Sequence, residues 1–143
     1  VQQVVKTLAV ETPGQAMVDV TDLLVRWLAQ ERAEDGLLTV FIRHTSASLT
    51  IQENADPDVR RDLVDALDRL APRERAYRHS MEGPDDMPAH IRAALTATSL
   101  AIPVLAGRPA LGTWQGVYVI EHRDRPHRRE LALHFMGDIG GRR

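Results

Sequence analysis

The chain reads as an α+β fold: a single domain over residues 1–143, with a largely antiparallel sheet and about three helices. Three observations predict this. Segments with strand character adjoin one another directly along the sequence. Helical segments are set between groups of these strands. The strict strand–helix–strand alternation that would signal a parallel sheet is absent.

Residues 2–10 (QQVVKTLAV) have an imperfect apolar alternation and read as a strand, and Thr12, Pro13 and Gly14 signal a turn. Residues 16–20 suit a second short strand. Thr21 then looks like the N-cap of a helix with Asp22 in its first turn. Leu24, Trp27 and Leu28 lie on one face of that helix by their spacing, and Glu34-Asp35-Gly36 ends it. Residues 36–43 (GLLTVFIR) are β-branched and almost wholly apolar, which predicts a central strand covered on both faces. Residues 46–52 (SASLTIQ) alternate and form the next strand.

Asp56 and Pro57 open a helix as N-cap and first helical residue. Val59, Leu63, Ala66, Leu67 and Leu70 make its apolar stripe. Residues 72–86 are a long polar loop, a length that in a compact domain points to function or disorder. Residues 86–97 suggest a further helix capped by Asp86, with Ile91, Ala94 and Leu95 inward. Residues 100–105 form a strand in which Pro103 favours an edge or an irregular position. Residues 113–121 and 130–135 make a final pair of strands.

Composition narrows the function classes. Hydrophobic residues make up 43% and charged residues 27%, as expected of a globular domain. A net charge of −2 argues against a general nucleic-acid binder. No apolar run reaches a membrane span, and the first residues lack the layout of a secretory signal. The absence of cysteine excludes disulfides, thiolate zinc sites and cysteine nucleophiles, and fits a cytoplasmic location. Any metal must be held by His, Asp, Glu or water.

The chemistry concentrates in residues 79–91 (HSMEGPDDMPAHI). His79 and His90 can be brought together by a turning loop as imidazole ligands, a group that suits Zn, Ni, Fe and Cu. Asp85 and Asp86 either join them or cap the helix. His44, with Thr45 and Ser46, ends the strongest strand and projects into a crevice or into solvent; hydroxyls and amides at such a turn suit a phosphate. In Gly112-Thr113-Trp114-Gln115-Gly116, Trp114 is either a stacking surface for a flat ring, with Gln115 as its hydrogen-bonding neighbour, or a core residue beside a turn. Arg108, Arg123, Arg128 and Arg129 supply cations from turns, suited to phosphate or simply solvated. No GxGxxG, P-loop or GxSxG is present.

The order of HTSAS (44–48), QEN followed by DP (52–57), HSMEGPDDMPAHI, GTWQG and EHR (121–123) resembles the YjbQ family, also described as secondary thiamine-phosphate synthases. The resemblance runs over nearly the whole chain. It implies a compact α+β domain that assembles as a homotrimer, with a pocket for a divalent metal (Zn or Mg) or a phosphate. It further implies the coupling of a pyrimidine diphosphate to a thiazole phosphate. Carried onto these residues, His44, His79 and His90 are the metal set, with Asp85 or Asp86 as co-ligand or base and Glu53 and His122 as second-rank catalytic candidates. Thr45, Ser46, Arg108, Thr113, Trp114 and Gln115 are the substrate-binding candidates, and the expected partner is a small phosphorylated molecule rather than nucleic acid or membrane. Metal-dependent hydrolysis of a small ester, and a non-catalytic ligand- or metal-binding role, are the alternatives.

Overall fold

The computed structural model describes residues 1–141. Its strands are β1 (Gln2–Thr12), β2 (Ala16–Asp19), β3 (Ala33–Ile42), β4 (Ala47–Glu53), β5 (Ser99–Leu105), β6 (Arg108–Pro109), β7 (Gln115–Glu121) and β8 (His127–Ile139). Its helices are α1 (Thr21–Gln30), α2 (Pro57–Leu70) and α3 (Asp86–Leu95). The strands form two antiparallel sheets, one in the order β1-β8-β3-β5-β6 and one in the order β2-β7-β4. This is the α+β domain that the sequence pattern predicts.

The core lies between the inner face of the larger sheet, the smaller sheet and α1. Leu38, Val40, Leu131, Leu133, Phe135 and Val104 meet Leu49, Val117 and Val119, and Leu24, Trp27 and Leu28 close one end. Leu24 and Leu28 are wholly buried, worth roughly 1.5–3 kcal/mol each in removed apolar surface.

Several expectations are corrected by long-range pairing. The turn between α1 and β3 falls at Arg32, whose φ is 59°, so Glu34-Asp35-Gly36 begin a strand rather than end a helix. Gly36 stands opposite Gly137 on β8, and a Cβ on Gly36 would collide with the Met136 carbonyl. β3 is central but covered on one face only: Val5, Leu37, Phe41 and Met136 share an open outer face with Thr39 and His134. β7 and β8 are not a pair, because they belong to different sheets.

Thr21 is not an N-cap. Its hydroxyl accepts the Val117 N–H at 2.8 Å, so it is spent on holding α1 to β7, and Val20 occupies the cap position. Asp56 does cap α2, accepting the Asp58 N–H. The α2 stripe is not core, since none of its residues is fully buried and Leu70 is largely exposed. α3 buries Pro88, Ala89, Arg92 and Ala93, whereas Ala94 and Leu95 are exposed. An aliphatic-looking face thus gives way to one carrying a buried arginine.

Candidate functional site

The polar loop ends where α3 begins, and the first helical residue is Asp86 rather than a cap. Gly83, with φ 103°, turns the chain here, and its carbonyl accepts the Asp86 N–H. Asp86 and His90 are four residues apart on one helical face, so their side chains meet. His79 arrives from the loop. The Nε2 atoms of His79 and His90 lie 2.7 and 3.1 Å from Asp86 Oδ2, and the two rings are edge to face with centroids 5.4 Å apart. One ligand atom from each of the three residues falls within 4.8 Å of the others, a donor set that could hold a metal ion.

The tautomers strengthen that fit. His90 Nδ1 donates to the Thr45 carbonyl at 3.0 Å, so in a neutral ring Nε2 is a bare lone pair facing Asp86 Oδ2. Two lone pairs 3.1 Å apart repel unless a proton or a cation lies between them. A histidine whose second nitrogen donates to a backbone carbonyl is the usual arrangement of a metal ligand.

Arg123 holds the carboxylates in place. Its guanidinium donates to Asp86 Oδ1 at 2.7 Å, to Asp85 Oδ2 at 2.8 Å and to the Glu82 carbonyl at 3.0 Å. Burial works against ionised Asp85, but the Arg123 hydrogen bond and the Asp124 N–H outweigh it and hold the group at about 2. Burial opposes ionisation of Asp86 too, and its hydrogen bond with His79 and the neighbouring His90 and Arg123 more than offset it, so its pKa is lowered. Asp85 therefore serves Arg123, and Asp86 alone is shared by both histidines.

His44 is not a member of this set. Its Nε2 accepts the Glu130 N–H at 2.8 Å, and its Nδ1 lies 3.4 Å from the Arg129 guanidinium. Burial, then the Arg129 charge, lowers its pKa. It does reach a small cavity shared with His90 and Thr45. Ser46 accepts from Arg129, which is paired with fully buried Glu121 at 2.5 Å. His122 is an interior residue at 1% exposure, hydrogen-bonded to Ser48 Oγ at 2.8 Å. Burial, helped by Arg92, pushes it down to about 4.

The remaining candidates lie elsewhere. Glu53 accepts the Asp56 N–H and so braces the start of α2. Trp114 and Gln115 stand beside it: the Trp114 carbonyl accepts from the Asn54 N–H and the Gln115 carbonyl from Asn54 Nδ2. Because β4 and β7 pair with Ala47 opposite Glu121 and Glu53 opposite Gln115, the two groups of candidates occupy opposite ends of these strands. Seven strand residues separate the ends by about 20 Å. Thr113 is exposed in the loop before β7, and Arg108 is exposed on β6 at the edge of the larger sheet. Trp114 is 64% exposed rather than a core residue.

In the sequence Arg123 is one of several cations suited to phosphate, whereas in the structure it clamps two aspartates. Its signal was the EHR run at the end of a strand. The Thr45 carbonyl had none, being backbone.

A family model described as UPF0047 protein YjbQ-like matches residues 6–138. The chain belongs to the YjbQ-like UPF0047 family. A UPF0047 protein of Synechocystis is 52% identical over 133 residues, covering 92% of this chain and 90% of the relative. The UPF0047 protein YjbQ of Escherichia coli O157:H7 is 41% identical over 134 residues, covering 93% and 97%. Among solved structures, an uncharacterised conserved YjbQ/UPF0047 protein of Clostridium acetobutylicum superposes with TM-score 0.85 at 36% identity, covering 92% of this chain and 99% of that one. A protein of unknown function from Sulfolobus solfataricus shares the fold at TM-score 0.85 and 18% identity, covering 96% and 100%. Members of this family are uncharacterised conserved proteins. No described helix is long and apolar enough to cross a membrane.

Proposed function

We propose that the chain is a metal-assisted enzyme acting on a small phosphorylated substrate at His79, Asp86 and His90. The carrying observation is His90 itself: with Nδ1 committed to a backbone carbonyl, its Nε2 lone pair converges with His79 on one carboxylate oxygen. A divalent ion, Zn or Mg, held there would screen the charge of a departing diphosphate.

The reaction that fits best is the one the family resemblance implies, the coupling of a pyrimidine diphosphate with a thiazole phosphate. The thiazole nitrogen contributes its lone pair to the new carbon–nitrogen bond, and diphosphate leaves with the electrons of the broken carbon–oxygen bond. This nucleophile has no proton to lose. The surroundings of the triad suit it, because Asp85 and Asp86 are both tied to Arg123 and neither is available as a base. His44, with Nε2 occupied by the Glu130 N–H, is not poised for that role either. Hydrolysis of an ester is the weaker reading for the same reason. Arg123 positions Asp86, and the Thr45 carbonyl sets the ring of His90.

A homotrimer in the cytoplasm is part of the proposal, resting on the resemblance and on the absence of cysteine. The open outer face, where Val5, Leu37, Phe41 and Met136 stand around Thr39 and His134, supplies partly apolar surface for association.

The test is elemental mass spectrometry of gently purified protein beside incubation with the two substrates. About one ion per chain is expected, lost in His90→Ala and Asp86→Asn and kept in His44→Ala, together with a coupled product. No metal in the native protein, and none taken up on adding Zn, Mg, Mn or Ni, overturns the metal assignment. Free phosphate without a coupled product moves the reaction to hydrolysis.

A further inference from the structure

The loop before α3 does more than deliver His79. It forms a half-open cavity of about 360 Å³ against the start of the helix, with Arg73, Arg75, Tyr77, His79 and Ser80 as its polar lining. That is the small end of the range for ligand pockets, room for a compact group rather than a large one. Among the described residues, no aspartate or glutamate lines it. Its two guanidiniums differ in their commitments. Arg73 is neutralised by a two-pronged ion pair with Asp124, whose own N–H donates to Asp85, so this wall is fixed to the same framework that holds the triad. Arg75 lines the cavity as an exposed side chain and has no acidic or hydrogen-bonding partner among the described residues, so its charge is uncommitted.

A second cavity, of about 260 Å³, adjoins the triad through His90, with Ala93 and Ala94 in its wall. It is the more apolar of the two in its side chains. The triad therefore joins a cationic cavity at His79 to one of different character at His90.

We propose that the Arg75–Ser80 cavity is the subsite for the phosphoryl group of the substrate. This deepens, and rests on, the reading of the triad as the reacting centre. The planar fork of Arg75 can take two phosphate oxygens and the Ser80 hydroxyl a third, whereas a carboxylate would leave the hydroxyl unused. The group is held beside His79 so that the reacting bond falls at the triad. The rest of the substrate extends toward His90, Ala93 and Ala94.

The experiment is calorimetric titration with inorganic phosphate at constant ionic strength, on protein as purified and after chelation. Wild type is compared with Arg75→Ala, Arg75→Lys, Ser80→Ala and the control Arg61→Ala, which removes an exposed arginine paired, among the described residues, only with Asp58. A charge-assisted hydrogen bond lost at Arg75 weakens phosphate binding by about tenfold or more. Arg75→Lys recovers part of it, Ser80→Ala loses less, and the control is unchanged. Phosphate binding that is absent in wild type, or equal in Arg75→Ala and wild type, overturns the subsite. Metal content is measured in the same samples. Metal retained with Arg75-independent phosphate binding sinks the subsite alone. Phosphate binding that needs Arg75 in a protein that takes up no metal sinks the metal reading and leaves the subsite standing.

Discussion

Replacing Asp85 by Asn tests whether the Arg123 clamp is as strong as its geometry implies. Asp85 accepts from Arg123 Nε at 2.8 Å and from the Asp124 N–H at 3.0 Å, with 11% of its side chain exposed. Its pKa is held at about 2 against an ordinary 3.8. At about 1.4 kcal/mol per tenfold, that difference is worth roughly 2 kcal/mol of folding stability. The folded pKa is the lower one, so the contribution is complete above the unfolded value near 3.8. It is lost as the pH falls from there toward 2. Linkage places about half of the loss between pH 6 and pH 3 and the remainder below. Urea unfolding of wild type and Asp85→Asn is followed from pH 6 to pH 2.5. The wild-type advantage should shrink by about 1 kcal/mol by pH 3 and continue to fall. Parallel stability curves for the two proteins over that range would refute the assignment of Asp85 as an ionised partner of Arg123.

Other consequences can be checked more simply. His122 is buried neutral at about 4 against an ordinary 6.5, so stability should fall as pH drops from 6.5 toward 4. In His122→Gln, unfolding measurements across that interval should show a flatter slope. Thr21→Val removes the acceptor of the Val117 N–H and should cost about 1–3 kcal/mol by denaturant unfolding, with no change in metal content. Leu24→Ala in the core should cost about 2–5 kcal/mol in the same assay. Phe41→Lys on the open face of the larger sheet should leave the fold intact by circular dichroism. If that face associates, the variant should shift the mass found by light scattering toward the monomer.

Most of the local structure was legible because it rests on local chemistry. Asp56-Pro57 opened α2 as cap and first residue, since both effects act within one turn. The spacing of Leu24, Trp27 and Leu28 marked the buried face of α1. The density of His and Asp in residues 79–91 marked the loop in which the triad lies, because few other side chains can bind metals or move protons. Spacing could not say that Asp86 would be the shared carboxylate while Asp85 went to Arg123. Both are acidic, adjacent and placed to cap a helix, and what separates them is the direction from which Arg123 arrives at the end of β7.

The sequence by itself determined most of the helices and strands, through apolar period and turn chemistry, and it marked out the family by the order of its motifs. Tertiary structure decided which of those motifs share a site. His44 and His122 carry the same imidazole as His79 and His90, yet β4, β7 and β8 turn His44 onto a backbone amide and bury His122 against Ser48. Glu53, Trp114 and Gln115 are carried to the far end of the β4–β7 pair, because antiparallel register fixes the distance between the two ends of a strand. Side-chain chemistry is written residue by residue, whereas convergence depends on strand pairing between segments distant along the chain, which no local pattern encodes.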